Sequence, residues 1–104
     1  VQFVISPSKE EAANLTMNDW ANLQDESLET MDSLGLIPKG MEKEVKTNFC
    51  NSMNVGGLHS DSKSGTLHLH MDCCRVDLEG NTNDVHDIHK RAMMAAEIIN
   101  MRHG

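Results

Sequence analysis

Aromatic side chains are nearly missing from this chain: Phe3, Trp20 and Phe49 are the whole set, and there is no tyrosine. A core built on large rings is therefore excluded, and eight methionines take up part of that role. Methionine is flexible and polarizable, so such a core adapts to its neighbours, and a surface methionine suits forgiving apolar contacts. Positive charge is also scarce. Nine Lys and Arg stand against sixteen Asp and Glu, a net charge of −7, and no Lys or Arg falls between Glu10 and Pro38. Nucleic-acid binding needs clustered basic residues to displace counterions, so no nucleic acid is expected as a partner. No apolar run approaches the ~18 residues that span a bilayer, and no signal-peptide pattern opens the chain, so no membrane partner is expected. Three cysteines are an odd number at spacings that fit no common zinc framework. They point to a reducing, cytoplasmic setting. Gly56-Gly57 lacks the spacing and the following Lys of a phosphate loop. Asp77 to Ile88 lacks the central Gly and closing Glu of a calcium loop.

What is present reads as one α+β domain spanning residues 1–104, a length that supports a single core without staples. The first residue is Val, which fits a segment cut or processed from a longer protein. The expected architecture is a small antiparallel sheet, made of an N-terminal strand (Val1 to Ile5) and a hairpin over about 55–79, packed with three or four helices. Ser8 with Glu11 makes a capping box for a short first helix ending near Asn14. Thr16 with Asp19 starts a second, to about Leu34. Its stripe is Met17, Trp20, Leu23, Leu28, Met31 and Leu34, and its acidic back is Asp19, Asp25, Glu26, Glu29 and Asp32. Gly35 and Pro38 end it. A third helical pattern runs from Lys39 to Asn54 on a ridge of Met41, Val45, Phe49 and Met53, with Cys50 as an inert thiol at its edge and Gly56-Gly57 as its end. Val55 to Ser60 then forms the first hairpin strand, and Asp61 to Gly65 the turn.

The second hairpin strand carries the chemistry. In Thr66 to Glu79 the two-residue period puts Leu67, Leu69, Met71 and Cys73 on one face and His68, His70 and Asp72 on the other. After Cys73-Cys74 the apolar positions become Val76 and Leu78, a slip that predicts a bulge or bend there. A last helix, Asp84 to about Arg102, is capped by Thr82 or Asn83. It has a core stripe of Val85, Ile88, Ala92, Ala95, Ala96 and Ile99, with Met94, Ile98 and Met101 nearly opposite. A helix apolar on two sides is normally buried on both.

His68 and His70 lie about 6.5–7 Å apart along the strand, with Asp72 next in the row. With His59 from the preceding strand they form the candidate ligands for a divalent transition metal. His68-Leu69-His70-Met71-Asp72-Cys73-Cys74 is similar, over seven residues, to the His-apolar-His-apolar run of the histidine-triad nucleotide hydrolases. That resemblance implies His70 at the nucleophile position, with Asp72 where the third histidine of that family stands, and the activity is not carried over. His86 and His89 are spaced to share a ligand, although His89 falls on the apolar stripe as a buried, hydrogen-bonded residue. Cys73-Cys74 reads as a reduced pair. Without an acid, base and nucleophile set, catalysis is the weaker class. The favoured expectation is a non-enzymatic interaction domain that binds a protein partner, self-associates as a homo-oligomer, or both. Trp20, Met94, Ile98 and Met101 are its candidate contact residues, and the acidic second helix favours a basic partner surface. The alternative is a metal-binding or small-ligand-binding domain centred on His68-x-His70.

Overall fold

A computed structural model describes residues 1–34, 46–60 and 65–103. Its sheet has three antiparallel strands, β1 (Gln2–Ile5), β2 (Ser52–Ser60) and β3 (Leu67–Asp77), with β3 in the middle. Among the described residues three α-helices accompany it: α1 (Lys9–Ala13), α2 (Met17–Ser33) and α3 (Ile88–His103). The expected α+β class, N-terminal strand, hairpin and C-terminal helix are all present.

The helix starts follow the local chemistry. Ser8 Oγ accepts the Glu11 amide at the head of α1. Thr16 and Asp19 each accept the other's backbone N–H at the head of α2, satisfying two donors that the first turn cannot bond internally. α2 then buries Trp20, Leu28 and Met31 against the inner sheet face, where Leu69, Met71 and Cys73 point. Phe49 is fully buried there, edge-on to Phe3 at 5.2 Å between ring centres. Met17, at the open end of the stripe, stays 73% exposed.

Three expectations need correction. The first concerns the third helix. Residues 39–45 of it lie outside those described, and the remainder is no α-helix: a single 3-10 turn covers Phe49–Asn51, and β2 already starts at Ser52. The reason lies in competing hydrogen-bond acceptors. The Asp32 carboxylate takes the amides of Phe49 and Cys50 at 2.8 and 2.9 Å, and Asn83 Oδ1 takes that of Asn48 at 2.6 Å. Those donors are thereby withdrawn from an i to i−4 ladder. Gly56 and Gly57 fall in mid-strand rather than at a helix end. A Cβ on Gly56 would run into the Gln24 carboxamide of α2, which lies across the strand and bonds Asn54.

The second concerns the strand slip. The irregularity is where the sequence puts it, but Ser52 pairs with Asp77 and Asn54 with Cys73, so β3 carries two extra residues. An even insertion preserves the facing. Asp77 therefore turns inward, and Val76 and Leu78 remain 49% and 68% exposed. Asp77 is held there by the amides of Glu79 and Asn81 and by Asn48 Nδ2, and these hydrogen bonds, that of Asn81 first, keep its carboxyl below the ordinary range.

The third is the start of α3, at Ile88 rather than Asp84. Asp87 adopts a positive φ of 51°, which breaks the helical path. Asn83 is not a cap but a buried connector, bonding Ser52 Oγ and the Cys74 carbonyl.

Candidate functional site

β3 exposes two different surfaces. On its outer face, which the helices do not cover, strand pairing sets His59 opposite His68, Gly57 opposite His70 and Val55 opposite Asp72, with Val4 and Gln2 on the other flank. The His59 and His70 rings lie 4.3 Å apart at 49° to each other. His68 Nδ1 is buried without a hydrogen-bond partner. The hairpin thus gathers the three predicted histidines, and Asp72 continues the row, exposed. Imidazole lone pairs lie in the ring plane, so two rings packed this way must turn before they share one ion. Among the described residues, no group of three or more His, Cys, Asp or Glu side chains is placed to hold a metal. His86 pairs with Asp87 at 3.4 Å. His89 is exposed, not the buried stripe residue expected, because the helix turns that position away from α2.

All three cysteines are free thiols, and Cys73 is the buried one. Burial pushes the Cys50 thiol up to about 12, helped by the Asp32 carboxylate beside it, and burial also raises that of Cys73. Both shifts disfavour the thiolate, the nucleophilic form, at neutral pH.

On the inner side, α3 packs along α2 rather than on the sheet. The contact is fastened at both ends. Arg91, fully buried, donates to the Leu34 carbonyl at 3.1 Å, the Asp84 carbonyl at 2.9 Å and Thr47 Oγ1 at 3.1 Å. Burial lowers its guanidinium from the ordinary value, yet arginine keeps its charge in proteins. Thr47 Oγ1 in turn donates to Asp32 Oδ1 at 2.8 Å, so one chain of hydrogen bonds joins α3, the end of α2 and the 3-10 turn. At the far end Arg102 bonds Thr30 Oγ1 at 3.1 Å, and Arg102 and His103 both reach the Glu26 carboxylate.

This attachment rotates the helix. At 3.6 residues per turn, Arg91, Met94, Ala95, Ile98 and Arg102 share the arc that meets α2, and Ile88, Ala92, Ala96 and Ile99 lie roughly 100° further round. The expected core stripe is thereby divided. Ala95 is buried, Ile88, Ala92 and Ile99 are half-buried and Ala96 is exposed, and together they line one wall of an open groove of about 1360 Å³. Its other walls are Phe3 and Ile5 of β1, Leu15, Leu23 of α2 and Met71 of β3. Glu11, Asp19, Asp25, Glu26 and Glu29 also line it.

The expected contact residues are scattered. Trp20 is only 3% exposed and belongs to the core, so its ring offers no anchor to a partner. Met94 and Ile98 are half-buried, and Met101 is 84% exposed at the end of α3. Sequence reasoning missed Arg91 as the fastener, although an arginine inside the run Ile88 to Ala96 was the available signal. It also missed the groove, whose trace was the apolar surplus of the last helix. Among the described residues, no helix is long and apolar enough to cross a membrane. Comparison with known proteins finds no matching family model, no matching curated protein and no matching solved structure.

Proposed function

We propose that this chain is a non-enzymatic interaction domain that seats a protein partner in the groove between β1, α2 and α3. The carrying observation is the groove itself. Pockets for small ligands enclose about 300–1,000 Å³ and cover most of the ligand. This groove is larger, at about 1360 Å³, and only partly enclosed. Apolar walls of that extent on a small domain mark a surface that another chain covers. The test is to pan a linear peptide library against the wild-type chain and against Ala96→Arg, which plants a long side chain on the groove wall. Ala96 is exposed and arginine is a good helix former, so the fold is expected to survive, as an unchanged urea midpoint would show. Selected peptides should bind the wild type and lose binding to the variant. Binders indifferent to the variant refute the groove as the partner site.

A second reading has one observation behind it, the gathering of His59, His68 and His70 on the outer sheet face. On this reading the histidines take a divalent transition ion after a small turn of the rings. Calorimetric titration of zinc and copper into chelated protein, beside a His68→Ala, His70→Ala double variant, decides it. Site-specific heat that weakens below about pH 6.5, where imidazole protonates, supports ligation. Equal weak heats in both proteins sink it.

A further inference from the structure

We infer that the occupant of the groove is a basic amphipathic helix, one that lays an apolar stripe along α3 and turns Lys and Arg toward the acidic walls. The inference rests on the groove being a partner site and names the chemistry of that partner. The wall formed by α3, from Ile88 to His103, is about 22 Å long at 1.5 Å per residue, which matches roughly four turns of a second helix. The wall presents Ile88, Ala92, Ala96 and Ile99 at three- and four-residue spacing. Two alanines among them leave room for larger apolar side chains from the other helix, the interdigitation that helix packing requires. Charge selects the class. Among the described lining residues five acids face one arginine, Arg102, which is already tied to Glu26. Asp25 and Glu29 are exposed and enter no ion pair among the described residues. A second copy of this chain would bring a net charge of −7 against the same acids, so self-occupation is opposed by like-charge repulsion. A cationic helix gains at both the apolar wall and the rim.

The experiment uses three synthetic 16-residue peptides. The first is a Leu/Lys sequence with leucines on one helical face, the second replaces each Lys by Glu, and the third scrambles the first to destroy the stripe. Binding is followed by amide shifts of Ala92, Ala96 and Ile99 in labelled protein. The Leu/Lys peptide should shift these amides saturably and weaken about tenfold or more between 50 and 500 mM salt. An Asp25→Asn, Glu29→Gln variant should bind it about three- to tenfold more weakly, the effect of two partly screened ion pairs. Equal binding of the Leu/Glu peptide at the same amides, or a Leu/Lys affinity indifferent to salt and to the variant, overturns the basic class while leaving the groove as a partner site. Equal binding of the scrambled peptide overturns the helical stripe. If no peptide moves the groove amides, the groove reading and this inference fall together. Concentration-dependent shifts of the same amides with dimeric sedimentation would make a second copy the occupant and overturn the inference.

Discussion

Replacing Arg91 with Met isolates what the buried cation contributes to the fold. Methionine keeps most of the volume and the helix propensity, so the change removes chiefly the guanidinium. Three acceptors lose their donor: the Leu34 carbonyl, the Asp84 carbonyl and Thr47 Oγ1. Asp84 is exposed and its carbonyl can turn to water, but Thr47 is buried and Leu34 half-buried. An unsatisfied buried acceptor costs about 1–3 kcal/mol. Relief from burying a charge offsets part of the loss. The expected net destabilisation is about 2–4 kcal/mol, a large share of the roughly 5–15 kcal/mol that holds small domains folded. In urea, with a slope of about 1–3 kcal/mol per molar, the midpoint should fall by about 1–2 M. Arg91→Lys should fall between the two, because an ammonium cannot reach three acceptors set around a planar fork. A midpoint for Arg91→Met within about 0.3 M of wild type would refute the fastening role assigned to this side chain.

Three further outcomes are expected. The Cys50 residue is exposed overall, but its thiol lies against the Asp32 carboxylate and is partly desolvated there; pushed up to about 12, it stays almost wholly protonated at pH 8. Labelling with a thiol reagent followed by peptide mapping should find it slow, and Asp32→Asn should speed it; fast wild-type labelling contradicts the assignment. The Asp77 carboxyl is depressed in the folded state, so its contribution to stability is complete above the unfolded value of about 3.9 and is lost as pH falls through the lower folded value. Urea titrations across that window should show a shallower acid loss for Asp77→Asn than for wild type. Gly56→Ala should displace the Gln24 carboxamide and its bond to Asn54, costing about 0.5–1.5 kcal/mol. Because the flexible Gln24 tip is the obstruction, Gln24→Ala should relieve that cost in the double variant, and strict additivity would exclude the contact.

Local signals were legible where the interaction is itself local. Ser8 with Glu11 and Thr16 with Asp19 mark two helix starts because each cap and its target are three residues apart. The alternation Leu67, Leu69, Met71, Cys73 identified the inner face of β3 because side-chain direction along a strand needs no other information. His59, His68 and His70 could be grouped in advance because a hairpin turn brings its two strands into register. The stretch before β2 failed for the opposite reason. The ridge ending in Phe49 and Met53 has helical spacing, but Asp32 and Asn83, 17 and 35 residues distant from their targets, capture the amides that a helix needs.

The sequence by itself therefore determined β1, β3, most of β2, the two capped helices, the acidic charge and the apolar excess of the last helix, all consequences of spacing and composition. Only the tertiary structure decided how that last helix is turned. Its rotation depends on where Arg91 and Arg102 find partners: the Leu34 carbonyl, Thr47, Thr30 and Glu26, between 44 and 76 residues away along the chain. No periodicity encodes those partners. Yet they decide that Ala95 is buried while Ala96 stays exposed on the groove wall, because a buried guanidinium left without acceptors costs more than an apolar side chain left at the surface.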